Sequence, residues 1–185
     1  NVLWGSEFVP AAREVYALNH PGVILDDRDI RTVTGNDILQ TINMRIGDVD
    51  VLEGSPPCAA FSVAGRTTET WQRSRRYSDT VQRTDDLFWE FARLVDEIQP
   101  KVFVAENVAG LVRGVSKGYF KQIYHALQDC RYRVEARLLD ASWLGVPQAR
   151  RRLFIVGVRN DLDLQPVFPK PWSFQYHVAD ALPYV

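Results

Sequence analysis

The chain has 185 residues and a mass of 21.2 kDa, the size of one domain. Hydrophobic residues make up 46% and charged residues 24%, a globular mixture that excludes a disordered chain. Its two cysteines argue against a secreted disulfide framework. No apolar run approaches the roughly 20 residues of a membrane span, and no signal peptide opens the chain. We therefore expect a soluble, cytoplasmic protein.

The net charge of -1 conceals two basic stretches. Residues 63–83 carry five arginines against two acidic residues, and residues 113–159 carry ten basic against three acidic residues. Arginine supplies 18 of the 22 basic side chains, and its guanidinium fork suits bidentate contacts to phosphate. The stretches are compatible with a polyanionic partner, although an ordinary solvated surface explains them equally well.

Short apolar runs, which are typical of strands, alternate along the chain with segments whose apolar residues repeat at helical spacing. The predicted elements are a strand ending at 2–4, a helix over 10–18, a strand over 23–25, a helix from about 36, a strand over 50–53, a helix over 87–98, a strand over 102–105, a helix over 118–129, and strands over 132–139 and 153–158. Residues 59–83 have little apolar periodicity, which predicts a long loop that is functional or disordered.

Repeated strand–helix units predict an α/β fold with a doubly wound sheet. The last two strands are joined by residues 140–152, too few for a crossover helix, so they form an antiparallel pair near the C-terminal end. We expect residues 1–160 to form the domain core and residues 161–185 to be an exit segment.

Two features at predicted strand ends are candidates for chemistry. Cys58 follows Pro56 and Pro57, whose rings restrict the backbone and give the thiol a fixed direction. Cys130 has no such setting, so we expect it to fill the core, as most free cysteines do. Glu106 follows a buried strand, where a carboxylate is costly unless it has a partner or a task. The alternative for Glu106 is a helix-capping acid.

A third feature is the run of arginines before the last strand. Strand alternation places Arg150 and Arg152 on one face and Arg151 on the other. Two guanidinium forks on one face would form a site for a phosphate or a carbonyl oxygen, although a solvated edge is the alternative.

Together these motifs resemble those of the DNA (cytosine-5) methyltransferase family. The motifs, which agree with the family in order, spacing and strand-end position, are Pro56-Pro57-Cys58, Glu106-Asn107-Val108 and Gln148-Ala149-Arg150-Arg151-Arg152. The resemblance implies a Rossmann-like methyltransferase sheet, S-adenosyl-L-methionine as cofactor, and duplex DNA as partner. It also implies that the enzyme flips a cytosine out of the duplex before methylating C5.

The resemblance assigns roles to residues along nearly the whole chain. It implies Cys58, Glu106, Arg150 and Arg152 as catalytic residues, with Cys58 the nucleophile. It implies substrate contacts from the 59–83 loop and the second motif, at Ser62, Arg66 and Val108. It implies cofactor contacts at Glu7, Phe8, Asp29, Ile30, Pro57 and Leu87.

The chain also departs from the family pattern. Ala59 stands where the family commonly has glutamine. The family's Phe-x-Gly-x-Gly turn is expected before Val2 and its target-recognition domain after Val185. We therefore expect residues 1–185 to be a fragment, and an inactive one by itself.

Two other functions stay open from the sequence. One is methylation of cytosine in transfer RNA by a related enzyme with a similar Pro-Pro-Cys turn, and the other is a catalytically incomplete relative that binds DNA. The three histidines, His20, His125 and His177, lack metal-ligand spacing, so we expect no metal site. We expect a monomer.

Overall fold

The computed structural model describes residues 1–57, 86–113 and 116–182, together with the backbone of 75–77 and 80–82. The predicted site residues Cys58, Ser62 and Arg66 lie outside the described residues. Among the helices of the described part, none is long and apolar enough to cross a membrane.

Strands and helices alternate through most of the described chain. The strands are β1 (Trp4–Ser6), β2 (Ile24–Asp26), β3 (Val51–Gly54), β4 (Arg75–Tyr77), β5 (Thr80–Gln82), β6 (Val102–Val108), β7 (Tyr132–Asp140) and β8 (Arg151–Arg159). The helices are α1 (Pro10–Asn19), α2 (Gly35–Thr41), α3 (Leu87–Ile98), α4 (Ser116–Asp129) and α5 (Val178–Ala181).

Local sequence signals explain where two of the helices begin and end. The hydroxyl of Thr34 accepts from the backbone N–H of Asp37, whose carboxylate accepts from the N–H of Thr34, so α2 begins with a capping box. Helix α3 ends at Ile98, and its C-cap residue Gln99 has a left-handed φ of 51° directly before Pro100.

The strands form three groups. Strands β1 and β2 pair in parallel, and the central sheet has the order β3-β6-β8-β7. Strand β3 is parallel to β6, whereas β8 is antiparallel to both β6 and β7. The predicted antiparallel pair is therefore confirmed, and β8 lies between β6 and β7. Strands β4 and β5 form a short antiparallel hairpin where the sequence predicted only a loop.

The side chains on the two faces of strand β6 differ in burial. Phe103 and Ala105 are fully buried in a core shared with α3 and α4, whereas Val104 and Glu106 on the opposite face stay half-buried. A Cβ on Gly157 would lie 2.1 Å from Cε1 of Phe103, its cross-strand partner. The Phe103 ring therefore requires glycine at this position in β8.

The end of β6 differs from the sequence prediction. The strand continues through Val108, because its last three residues pair with Phe154, Leu153 and Arg152 of β8. Glu106 therefore lies inside the strand rather than after it. The first strand is also shifted, to residues 4–6, because these residues pair with β2.

The segment after β8 packs against the connection between β7 and β8. The backbone N–H of Trp172 donates to the carbonyl of Trp143 at 2.8 Å, and Gln175 donates to the hydroxyl of Ser142 at 2.9 Å. Gly145, with a φ of +88°, lies under the Trp172 ring, where a Cβ would approach within 2.9 Å of the indole. That residues 161–185 leave the domain stays a prediction.

Candidate active site

A carboxylate and two guanidinium groups meet on the half-buried face of the central sheet. Oε1 of Glu106 lies 2.9 Å from Nε of Arg152 and 3.9 Å from Nη2 of Arg150. Glu106 and Arg152 are diagonal neighbours on adjacent strands, because Glu106 pairs with Phe154 and Arg152 with Val108. The structure thus brings three of the four predicted catalytic residues together.

The middle arginine of the run points elsewhere. Arg151 pairs with Asp140 across the β7–β8 ladder, with Nε 3.8 Å from Oδ2, and its side chain is 63% exposed. Side-chain alternation in β8 therefore separates Arg151 from Arg150 and Arg152, as the sequence predicts. Arg152, at 26% exposure, is much more enclosed than its neighbour.

An open cavity of about 420 Å³ adjoins this cluster. Glu106, Arg150 and Arg152 line it together with the apolar side chains of Leu139 and Phe154. A pocket with apolar walls and a few convergent polar groups is the usual form of a small-molecule or base site. The cluster therefore opens onto a largely apolar cavity that a small ligand can enter.

Asn107 connects this strand with the Pro56-Pro57 turn. Its Nδ2 donates to the carbonyl oxygen of Pro56 at 2.9 Å, and its Oδ1 accepts from the backbone N–H of Val108 at 2.8 Å. Asn107 is only 4% exposed. The turn that precedes Cys58 is thus attached to the strand that carries Glu106.

The sequence prediction did not include Asn107 among the site residues. A signal was nevertheless present, because alternation places residue 107 on the same face as Phe103 and Ala105. A polar side chain on a buried strand face needs a hydrogen-bond partner, and that partner is a candidate for structural or functional importance.

A second cavity, of about 540 Å³, lies between β1 and β3. Five of the six residues predicted to bind cofactor line it, namely Glu7, Phe8, Ile30, Pro57 and Leu87. Parallel strands place their carboxyl ends at one edge of a sheet, where α/β folds bind ligands. The end of β3 also brings Pro57, and so the candidate turn, to this cavity.

The cavity residues fit a nucleoside. Oε1 of Glu7 accepts from the N–H of Val9 at 2.8 Å, which holds the carboxylate at the cavity. A carboxylate accepts hydrogen bonds from hydroxyl groups such as those of ribose, and apolar walls such as Phe8 and Ile30 suit a purine ring. A carboxylate acceptor and apolar walls are therefore compatible with the adenosine part of S-adenosyl-L-methionine.

Arg93 holds one wall of this cavity in place. Its Nη2 donates to the carbonyls of Ile30 at 3.0 Å and Val33 at 2.9 Å, while Nε and Nη1 contact Glu90 and Glu97 of the same helix. The segment that carries Ile30 is thereby attached to α3.

Asp29 has a different position. It is not among the residues that line the cavity, and its Oδ1 accepts from the backbone N–H of Arg31 at 3.0 Å. Its carboxylate also pairs with the Arg31 guanidinium at 3.0 Å. Asp29 therefore caps the short 3-10 turn that carries Ile30.

Cys130 is buried in the core, as predicted. It is 8% exposed, and its Sγ lies 3.1 Å from the carbonyl of Ala126. Burial raises the pKa of this thiol to about 11, so it stays protonated near neutral pH. In the described part of the chain, no group of three His, Cys, Asp or Glu side chains is placed to hold a metal ion.

Comparisons with known proteins point to one family. The model of the C-5 cytosine-specific DNA methylase family matches residues 1–181. The Type II methyltransferase M1.HphI of Haemophilus parahaemolyticus is 34% identical over 95% of this chain and 44% of its own length. The Type II methyltransferase M.MthTI of Methanothermobacter thermautotrophicus is 38% identical over 74% of this chain and 38% of its own length.

Solved structures agree with this match. A DNA modification methyltransferase encoded within an E. coli prophage superposes with a TM-score of 0.76 and 26% identity, over 98% of this chain and 48% of that one. DNMT2 of Spodoptera frugiperda, at 23% identity and a TM-score of 0.67 over 95% of this chain and 50% of its own, shares the fold. The chain spans less than half the length of the curated relatives cited here. It belongs to the C-5 cytosine-specific DNA methylase family.

Proposed function

We propose that the full-length protein transfers a methyl group from S-adenosyl-L-methionine to C5 of cytosine in duplex DNA. The observation that supports this proposal is the hydrogen bond from Asn107 of β6 to the Pro56-Pro57 turn, one residue along the strand from Glu106, whose carboxylate contacts Arg152 on the opposite face. Cys58, the candidate nucleophile, directly follows Pro57 in the sequence. It therefore follows a turn that is attached to the strand of the candidate acid.

Covalent catalysis would begin at Cys58. The C5 position of cytosine is a poor nucleophile, so the thiolate would attack C6 and form an S–C6 bond. The C5=C6 π bond would break as the S–C6 bond forms, and its electron pair would make C5 nucleophilic. The cofactor, when bound, supplies the electrophilic methyl group, and S-adenosyl-L-homocysteine is the thioether that would leave with the electron pair of the broken S–CH3 bond. After methylation, a base would remove the C5 proton, the electron pair would reform the ring double bond, and the thiolate would leave.

Glu106 and the two arginines would hold the target base. Glu106 would act at the N3 edge of the ring, where a proton neutralises charge that builds up during the attack on C6. Arg152 and Arg150 would donate to O2 of the base or to its phosphate, and their positive charge would favour the Cys58 thiolate. Val108, with Ser62 and Arg66, would complete the contacts to the substrate.

Glu7, Phe8, Ile30, Pro57 and Leu87 would hold the cofactor. The support is that all five line one cavity, with a carboxylate and apolar walls. Asp29 would contribute by fixing the turn that carries Ile30, since its carboxylate caps that turn. We expect residues 1–185 alone to bind S-adenosyl-L-methionine weakly and to be inactive, and residues 161–185 to connect to the remainder of the protein.

The test is methyl transfer by the full-length protein with labelled cofactor and either duplex DNA or transfer RNA. We expect label in DNA, and we expect Cys58→Ser to abolish it. Cys130→Ser is the matched control, because this side chain lies in the core and a hydroxyl can still donate to Ala126. It should retain normal turnover.

Three outcomes would overturn parts of the proposal. Near-normal methylation by Cys58→Ser would remove the nucleophile assignment. Label that enters transfer RNA alone would replace the substrate. Folded protein that binds DNA but transfers no label to either nucleic acid would identify a catalytically incomplete relative.

A further inference from the structure

An ion pair next to the cavity of about 540 Å³ joins two segments that are far apart in the sequence. Nη2 of Arg31 lies 2.5 Å from Oδ1 of Asp86, and Nε of Arg31 lies 3.1 Å from Oδ2. The guanidinium fork therefore contacts both carboxylate oxygens, and bidentate pairs of this kind are among the strongest hydrogen-bonded contacts between side chains. Arg31 belongs to the 3-10 turn Ile30–Thr32, and Asp86 is the N-cap residue of α3.

Each partner is the chain neighbour of an apolar residue that lines the cavity. Ile30 directly precedes Arg31, and Leu87 directly follows Asp86. Because consecutive Cα atoms are only about 3.8 Å apart, a displacement of either charged residue moves the neighbouring cavity residue as well. The ion pair therefore connects Ile30 with Leu87 through one peptide unit on each side.

The guanidinium group is also fixed within its own turn. Nη1 of Arg31 lies 3.0 Å from Oδ2 of Asp29, whose Oδ1 accepts from the backbone N–H of Arg31 at 3.0 Å. All three guanidinium nitrogens thus contact a carboxylate, two of them on Asp86 and one on Asp29. Asp29 therefore orients the arginine toward Asp86, which reduces the conformational entropy that the pair loses when it forms.

A second arginine joins the same two segments in the opposite direction. Arg93 of α3 donates to the carbonyl oxygens of Ile30 and Val33, so it holds the backbone of the turn from further along the helix. The Arg31–Asp86 pair acts instead at the start of α3, where Leu87 lies. Without this pair the turn would still be attached through Arg93, so the fold should persist while Leu87 gains freedom relative to Ile30.

The simplest alternative is an ordinary surface ion pair, and most such pairs contribute little. This pair differs because it is bidentate and partly enclosed, with side-chain exposures of 25% for Arg31 and 29% for Asp86. We infer that Arg31 and Asp86 are positioning residues, which fix the relative positions of Ile30 and Leu87 and thereby the affinity of the cavity for the adenosine part of the cofactor. This inference rests on the proposed function, which supplies the ligand of the cavity.

The principal test is Asp86→Asn in the full-length protein, with binding of S-adenosyl-L-homocysteine measured by calorimetry. Asparagine has the same shape and is an equally good N-cap residue, and the Asp86 carboxylate makes no capping hydrogen bond that the described part of α3 would lose. If breaking the pair leaves the binding arrangement populated about one tenth of the time, the apparent Kd rises about tenfold. We expect a rise of this size, and an unchanged Kd would overturn the inference.

Arg31→Gln completes a double-mutant cycle. If the two side chains act as one unit, the loss of either partner removes the same interaction. Asp86→Asn should therefore raise Kd about tenfold in the unmodified protein but less than about twofold in Arg31→Gln. Losses that add in the double variant would show that the two residues act separately, contrary to the inference.

Steady-state kinetics separate positioning from a general loss of structure. Asp86→Asn should raise KM for S-adenosyl-L-methionine about tenfold, while kcat at saturating cofactor and KM for DNA stay within about twofold of their normal values. A partly unfolded protein would instead show a lower kcat, because fewer molecules are active at any cofactor concentration. A lower kcat with an unchanged KM for cofactor would therefore count against positioning.

Asp163→Asn is the matched control for the loss of one carboxylate from an ion pair. Oδ1 of Asp163 lies 2.6 Å from Nη2 of Arg133, and neither residue lines the cavity. Arg133 lies in β7, at the opposite edge of the central sheet from β3. Its Kd for S-adenosyl-L-homocysteine should stay within about twofold of normal, since an exposed pair of this kind contributes little. A rise equal to that of Asp86→Asn would show that the effect does not depend on the cavity.

Failure of this inference is distinguishable from failure of the proposed function. Unmodified full-length protein that binds S-adenosyl-L-homocysteine, with the same Kd in Asp86→Asn, would overturn the role of the Arg31–Asp86 pair alone. Unmodified full-length protein that binds no S-adenosyl-L-homocysteine would overturn the cofactor assignment, and with it the proposed function.

Discussion

Single side chains in the candidate site differ in their contacts according to which face of a strand they occupy. Glu106 and Asn107 are neighbours in β6, yet one contacts guanidinium groups on the half-buried face and the other holds a carbonyl on the core face. In β8, Arg152 lies 2.9 Å from Glu106, whereas the adjacent Arg151 contacts Asp140. Neighbouring residues therefore serve as internal controls for one another.

This alternation allows a matched pair of substitutions. Arg152→Gln removes the cation next to Glu106, and loss of one preorganised donor from a site typically lowers turnover by about 100-fold or more. Arg151→Gln removes the same charge from the opposite face of the same strand. We expect steady-state methylation of duplex DNA to fall at least 100-fold for the first variant and to stay within threefold for the second.

Equal losses in the two arginine variants would mean that net positive charge, rather than the position of Arg152, matters for activity. Arg152→Lys adds a further distinction. An ammonium group lacks the planar fork, so it should restore little activity if two parallel hydrogen bonds are needed.

Among the secondary structure elements, the β6–β8 ladder is the one that brings the candidate site residues together. It carries Glu106 and Asn107 on one strand and Arg152 on the other, and the close approach of Phe103 to Gly157 fixes how the two strands pack. Strand β3 joins the same sheet in parallel and delivers the Pro56-Pro57 turn at its carboxyl end.

Gly157→Ala tests that close approach. A methyl group there would lie 2.1 Å from the Phe103 ring, and overpacking of this kind typically costs about 1–3 kcal/mol of unfolding free energy. Gly118→Ala in α4 is the control, because no atom lies within 4 Å of the new Cβ. It should stabilise the protein by up to about 1 kcal/mol, since alanine favours helix.

Urea unfolding measures both glycine variants. A Gly157→Ala protein as stable as the unmodified one would mean that the Phe103 ring has another position available, and that the ladder is less constrained than its geometry indicates.

Over the whole molecule, the core places two titratable groups away from water. Burial raises the pKa of Cys130 to about 11 and holds the pKa of Tyr132 well above its ordinary value. The Tyr132 hydroxyl donates to the carbonyl of Pro100 at 2.5 Å. Both groups are therefore more easily deprotonated in the unfolded chain than in the folded one.

This difference predicts a loss of stability in alkaline solution. Below about pH 9 both states of the protein hold the Cys130 proton, so its contribution is complete. As the pH rises from 9 to 11, the unfolded thiol loses its proton first and the free energy of unfolding falls, by about 1–3 kcal/mol. Above pH 10, Tyr132 adds to the fall.

Urea unfolding between pH 8 and pH 11 tests this prediction, with Cys130→Ser as the comparison. The variant should show a shallower decline, because a hydroxyl does not titrate in this range. Parallel declines for the two proteins would show that Cys130 does not contribute.

Much of the fold followed from local patterns. Leu87, Phe91 and Ile98 repeat at helical spacing, and the observed α3 spans the predicted residues 87–98. The short connection after β7 was sufficient to predict the antiparallel pair. The position of β8 between β6 and β7 could not be predicted in this way, because strand order depends on contacts between residues about 50 positions apart.

The sequence was sufficient to predict most residues of the candidate site. It was less informative about the contacts between them. The motifs singled out Glu106, Arg150 and Arg152, which the structure brings together. Asn107 was missed because its importance depends on one long-range hydrogen bond, to Pro56. The roles of Cys58, Ser62 and Arg66 stay predictions, since these residues lie outside the described part of the chain.

The pairing of β6 with β8 also limits which insertions and deletions this part of the chain can accept. Deleting one residue between Phe103 and Glu106 would turn the carboxylate toward the helices and the amide of Asn107 toward the open face. Deleting two would restore both directions but shift the groups by about 6.8 Å along the strand, away from Arg152. Viable insertions and deletions in this protein should therefore avoid β6 and accumulate in its connections.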